Sequence, residues 1–190
     1  TGNTNPSAST ENGNDVYLIK TDENGTELWS QTFSYYLNDY STSVQQTTDG
    51  GYIITGSTTN VNSGTFDLYL IKTDGNGTEL WSQTFGSPSN DSWSSSIQQT
   101  TDGGYIITGY STSFGNGERD IDLIKTDGNG TELWNRTFGG PNDDCGESVQ
   151  QTTDGGYIIT GSTNSFGNGY DVYLIKTDGS GNVTTTFNTP

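Results

Sequence analysis

The chain contains no histidine, no methionine and one cysteine, and it sets only six basic residues against 23 acidic ones in 190. Each shortage excludes something. Without histidine, the many serines and threonines lack the usual base that turns a hydroxyl into a nucleophile. A single cysteine, Cys145, can form no internal disulfide. A formal charge of −17 repels phosphate backbones and anionic lipid surfaces, so no nucleic-acid partner is expected. No stretch approaches the ~18 consecutive apolar residues of a membrane span, so membrane insertion is not expected either. Beginning at Thr1 with no signal-type segment, the chain reads as a mature, processed form.

Apolar residues are also scarce, at 27%, which with the high net charge would ordinarily indicate disorder. Eleven tyrosines and four tryptophans oppose that reading, because each can bury a large area. A repeat opposes it more strongly. LIKTD occurs four times, with its lysine at 20, 72, 125 and 176, and QQTTDGGYIITG three times, with its aspartate at 49, 102 and 154. GTELW places Trp29, Trp81 and Trp134 nine residues after the lysine, as structural residues in equivalent, largely buried positions.

Each period of about 52 residues reads as four short strands. SVQQT turns through TDGG into GYIITGS, and a polar loop leads to DVYLIKTD, which turns at Asn-Gly into ELWSQTF. Asn-Gly and Gly-Gly accept positive φ at little cost. The strands are rich in β-branched and aromatic residues, and the runs YII and VYLI suit strands covered on both faces. No helical periodicity is present. The expectation is an all-β, β-propeller-like array of four-stranded antiparallel blades, with residues 1–14 as a Ser/Thr/Asn-rich tether or added strand and 15–190 as the repeat domain.

The pattern D-x-Y-L-I-K-T-D-x-N-G-x-x-L-W-x-x-T-F-G-G followed by D-G-G-Y-I-I-T-G resembles the SBBP-type β-propeller repeat of secreted and cell-surface bacterial and archaeal proteins. It covers about residues 15–187 and implies that fold and an extracellular or cell-surface location, but no reaction. Counting hairpins gives seven, or about three and a half blades, fewer than the four whole blades a closed propeller normally has. The unmatched first hairpin needs edge strands from residues 1–14, from another chain or from a longer array, because a bare sheet edge invites association.

The candidate sites follow from the same repeats. Each lysine has an aspartate two residues later and another five earlier, which points to structural ion pairing. Cys145 stands where other repeats have Tyr40 and Trp93, as a packing choice. Near-identical repeats give near-identical carboxylate environments, whereas paired catalytic carboxylates need different ones. No catalytic residue is therefore assigned. The turn D-G-N-G-T-E offers oxygens at Asp74, Asn76 and Glu79, and a second acidic cluster lies at Asp143 and Asp144, with Asp91 and Asp39 in its counterparts. Calcium takes such ligands, although a plain hairpin turn is the favoured reading and no cofactor is required. N-x-S/T sequons occur at Asn24, Asn76, Asn90, Asn129, Asn135 and Asn182, three of them at one hairpin tip.

Two functions fit these features. One is a non-enzymatic surface or filament subunit, N-glycosylated, that meets copies of itself head to tail. The other is a propeller that binds glycans or another ligand through loop aromatics such as Tyr35, Tyr36, Trp93, Tyr110 and Phe114.

Overall fold

The computed structural model describes residues 2–4, 13–59, 63–86, 92–112, 115 and 118–188. Among these it is all β, and no helix is long and apolar enough to cross a membrane. Fifteen strands form four antiparallel sheets. The first contains β1 (Gly2–Thr4), β2 (Asp15–Thr21) and β3 (Glu27–Phe33). The second contains β4 (Asp39–Gln46), β5 (Tyr52–Thr59), β6 (Phe66–Thr73) and β7 (Glu79–Phe85). The third contains β8 (Ser92–Gln99), β9 (Tyr105–Ser111), β10 (Asp120–Thr126) and β11 (Glu132–Phe138), and the fourth β12 (Asp144–Gln151), β13 (Tyr157–Thr163), β14 (Asp171–Thr177) and β15 (Val183–Asn188). Strands in each sheet follow chain order.

The start of the chain is part of the repeat. Gly2, Asn3 and Thr4 pair with Tyr17, Val16 and Asp15. Gly56, Ser57 and Thr58 pair in the same way with Tyr69, Leu68 and Asp67. The segment Gly2-Asn3-Thr4 thus stands where Gly56-Ser57-Thr58 stands in the second sheet. The first sheet takes its edge strand from within the chain, over three residues only.

The turns are fixed by their aspartates. Asp49 Oδ1 accepts from the Thr47 hydroxyl (2.5 Å) and the Gly51 N–H (2.9 Å), while Gly50 takes φ of 84°. Lys72, buried by its sheet, ion-pairs with that aspartate at 2.9 Å and donates to the Thr73 carbonyl at 2.8 Å. The unit recurs as Lys125–Asp102 and Lys176–Asp154, each at 2.9 Å. The pairing is structural as expected, but its partner is the aspartate of the preceding hairpin's turn rather than either one beside the lysine in sequence. Lys20 lies 5.8 Å from the centre of the Tyr52 ring.

Each sheet covers the next. The opening strand of a sheet packs on the preceding one: β4 on β1 and β2, β8 on β4, β5 and β6, and β12 on β8, β9 and β10. Along this seam Gln45 Oε1 accepts from the Gln99 N–H (2.6 Å), and Gln99 Oε1 from the Thr48 N–H (2.9 Å). Gln98 and Gln151 repeat the exchange one sheet on. Three apolar cores fill the interfaces. Val16 and Leu18 meet Ile54, Tyr69 and Ile71; Leu68 and Leu70 meet Ile97, Tyr105 and Ile124; Ile121 and Leu123 meet Val149, Tyr157 and Ile175.

The three tryptophans occupy equivalent places but are half-buried rather than largely buried, because each sits at the rim of an interface. Trp29, Trp81 and Trp134 pack edge-on or tilted against Tyr52, Tyr105 and Tyr157 of the next sheet, with ring centres 5.8–6.0 Å apart. Each also covers the turn glycine of that sheet: a Cβ on Gly130 would come within 2.6 Å of the Trp81 ring. Gly130 (φ 80°) and Gly103 (φ 84°) are equally left-handed, yet a Cβ on Gly103 meets nothing. Gly103→Ala is therefore expected to cost only the backbone strain, about 1–2 kcal/mol, and Gly130→Ala clearly more. Denaturant midpoints with equal losses would show that the tryptophan contact constrains nothing.

Candidate functional site

The position after Asp-x in each LIKTD strand is Tyr17, Tyr69, Asp122 and Tyr173. Tyr69 and Tyr173 point toward the preceding sheet and are filled in by a second aromatic ring. Tyr35 lies 6.3 Å from Tyr69, and Phe166 lies 5.4 Å from Tyr173. Asp122 is too short to do the same, so a cavity of about 520 Å³ opens between the second and third sheets. The corresponding space beside Tyr69 is about 240 Å³.

Four strands line the larger cavity. Thr84 and Phe85 come from β7, Ser92 from β8, Asp122 and Ile124 from β10, and Glu132, Asn135 and Thr137 from β11. One further replacement sets this interface apart. Ser92 takes the place that Asp39 and Asp144 hold in the neighbouring sheets, where Asp39 accepts from the Tyr35 N–H at 2.8 Å and anchors that loop. The sequence counterpart of Tyr35 is Ser87, and that of Phe166 is Phe114; both lie outside the described residues.

Asp122 is only 4% exposed, and its Oδ1 has no hydrogen-bond partner among the described residues. Burial pushes its carboxyl up to about 7, against the Asn135 side chain, which stabilises the charge; the nearby Glu132 adds to the rise and the Leu123 N–H opposes it. Glu132 is the one other titratable group among the described lining residues. The folded state then holds a proton that the unfolded chain releases near the ordinary value of 3.8. Stability from this group is greatest below pH 4, falls as pH rises toward about 7, and is level above that. Asp122→Asn should remove the fall, gaining on the order of 2–4 kcal/mol over the parent between pH 4 and pH 7.5 in urea unfolding. The lysine-paired turn aspartates Asp49, Asp102 and Asp154 are all held low by their hydrogen bonds and do not interfere in this window. Asp102, which burial would raise, is brought down to about 2 by the Thr100 hydroxyl, Lys125 and the Gly104 N–H, so its contribution is lost only in stronger acid.

The other sequence candidates are placed as follows. Asn24, Asn76 and Asn129 lie exposed at hairpin tips, as does Asn182, whose amide donates to Asp178 at 2.9 Å. Asn135 is half-buried in β11, against the cavity. Asn90 and Asp91 lie outside the described residues. Asp74 Oδ1 accepts from the N–H groups of Asn76 (2.8 Å) and Thr78 (2.9 Å), which is hairpin-turn geometry, and Glu79 accepts the Tyr35 phenol proton at 2.6 Å. Asp144 Oδ2 accepts from the Gly140 N–H (2.8 Å) and the Ser165 hydroxyl (2.7 Å), while Asp143 takes the Tyr170 phenol. Among the described residues no group of three or more acidic or thiol side chains gathers as a metal would require. Burial raises the Cys145 thiol, against the pull of Arg119, which favours the neutral, unreactive form.

The chain's two outer faces form a second feature. On the last sheet Val172 is 61% and Phe187 58% exposed, although Leu68 and Ile121, the counterparts of Val172, are buried. Thr185 stands where Trp81 and Trp134 stand in the inner sheets. On the first sheet Ile19 is 41% exposed, although its counterparts Ile71, Ile124 and Ile175 are buried. The two exposed sets are the two halves of an inter-sheet core.

No protein-family model matches the chain, and no curated protein matches it.

Proposed function

We propose that this chain is a non-catalytic structural module of the β-propeller type, similar to the SBBP repeats of extracellular and cell-surface proteins, that associates with copies of itself. One observation carries the proposal: each end presents the face that an internal sheet would bury. Val172, Leu174 and Phe187 match the side that Leu68, Leu70 and Gln83 turn toward the third sheet. Ile19 matches the receiving side formed by Ile71 and Ile124. The occupant of the last sheet's outer face is thus the first sheet of a second copy. This is a head-to-tail contact, which closes into a ring or runs on as a filament.

Stacking of whole faces supports this reading better than strand addition at the first sheet's edge, because β1 already pairs with Asp15–Tyr17 from within. The absence of histidine and the near-identity of the repeats support a non-catalytic role. Exposed sequons at the tips of the hairpins support N-glycosylation. A ligand-binding module is the second reading, favoured by the Asp122 cavity.

Light scattering of the full chain should give a mass above 20.4 kDa that rises with concentration. Added salt should strengthen the association, since every copy carries −17. Val172→Lys with Phe187→Lys should return the monomer without loss of β content. A parent that stays monomeric at all concentrations overturns the assembly. Material from the native source should be heavier than the bare chain, with sugar at Asn24, Asn76 or Asn129; an intact mass equal to the polypeptide removes the glycan.

A further inference from the structure

A buried carboxylate is stable only when its charge is paired, and a buried acceptor is costly when nothing donates to it. Asp122 Oδ1 is such an acceptor, and the described walls around it hold acceptors, hydroxyls and an amide but no cation. The group that fits it only donates and carries positive charge. A molecule of charge −17 also concentrates cations at its surface.

The first interface indicates what else the cavity takes. There the same space holds the rings of Tyr35 and Tyr69, and the Tyr35 hydroxyl reaches across to donate to Glu79 at 2.6 Å. Glu132 is the counterpart of Glu79 and lines the second cavity, where Asp122 stands in place of the Tyr69 ring. The Phe85 ring and Ile124 supply apolar walls. A volume of about 520 Å³ lies within the usual range for small-molecule sites, roughly 300–1,000 Å³.

We propose that the cavity between the second and third sheets binds a small phenolic amine. Its ring takes the space that tyrosine fills at the first interface, its hydroxyl donates to Glu132, and its ammonium group pairs with Asp122. The site is independent of the end faces and rests on different residues.

Tyramine is the probe, titrated into the full chain by calorimetry. Three relatives each remove or change one feature: tyrosol replaces the ammonium by a hydroxyl, phenethylamine lacks the phenol hydroxyl, and glucosamine replaces the ring by a saccharide. Tyramine should bind saturably, at least ten-fold more tightly than tyrosol and more tightly than phenethylamine. It should bind at least ten-fold more weakly at pH 5 than at pH 8, where Asp122 is ionised. Asp122→Asn should abolish the advantage over tyrosol, and Glu132→Gln should reduce the advantage over phenethylamine. Asp122→Tyr restores the residue of the other repeats, keeps the chain folded and should abolish binding. The proposal is overturned if tyramine does not bind saturably, if tyrosol binds as tightly, if glucosamine binds more tightly, or if the folded Asp122→Tyr chain binds tyramine like the parent.

Discussion

Each sheet of this chain has two apolar faces and can cover neither from its own strands. Leu68 and Leu70 face one way, Tyr69 and Ile71 the other, and each set is buried only because another sheet lies on it. That constraint explains why residues so poor in apolar content still order: each buried residue serves an interface that the next period repeats. It also explains why tryptophan and glycine recur together. The ring that closes one sheet lies over the turn of the next, so the turn must lack a side chain.

Polar groups set the spacing between the sheets. The glutamines of each opening strand hydrogen-bond the backbone of the neighbouring sheet, holding the strands at a fixed offset while the apolar side chains fill the gap. The lysines act within a sheet, tying its third strand to the turn between its first two. The buried carboxylate of Asp122 is the exception. Where one repeat departs from its neighbours, at Asp122, the interface does not close.

The repeat period, the hairpins and their turns were legible in the sequence, because Asn-Gly, Asp-Gly-Gly and alternating strands act locally. The structural role of the lysines was legible too, but not their partner, since Asp49 lies 23 residues before Lys72 and becomes its neighbour only when three strands align. The repeat character of Gly2–Thr4 was present in the likeness of Thr1-Gly2-Asn3-Thr4 to Thr55-Gly56-Ser57-Thr58. It was obscured because four residues are too few to carry the DGGYIITG signature. The cavity was missed for a similar reason. DIDLIK beside DVYLIK is a visible change, but its meaning depends on which face of β10 the residue lies on and on Tyr35, which comes from a different sheet. Asp74 and Glu79, plausible as ligands in one dimension, are engaged by a turn and by a neighbour's phenol.

The near-identity of the hairpins has a consequence for how the chain reaches this state. Any YIITG strand carries the same residues to pair with any LIKTD strand, so the ladder hydrogen bonds alone cannot tell the correct partner from one a period away. Proximity makes the first choice, because the tight turns bring consecutive strands together before distant ones meet. The side chains that differ between periods then act as labels. The cluster of Tyr40, Phe66 and Trp93 forms only between the second and third sheets, and Cys145 offers no ring to join it. A skipped or exchanged sheet leaves that cluster incomplete, which penalises the swapped arrangements to which repeat chains are prone.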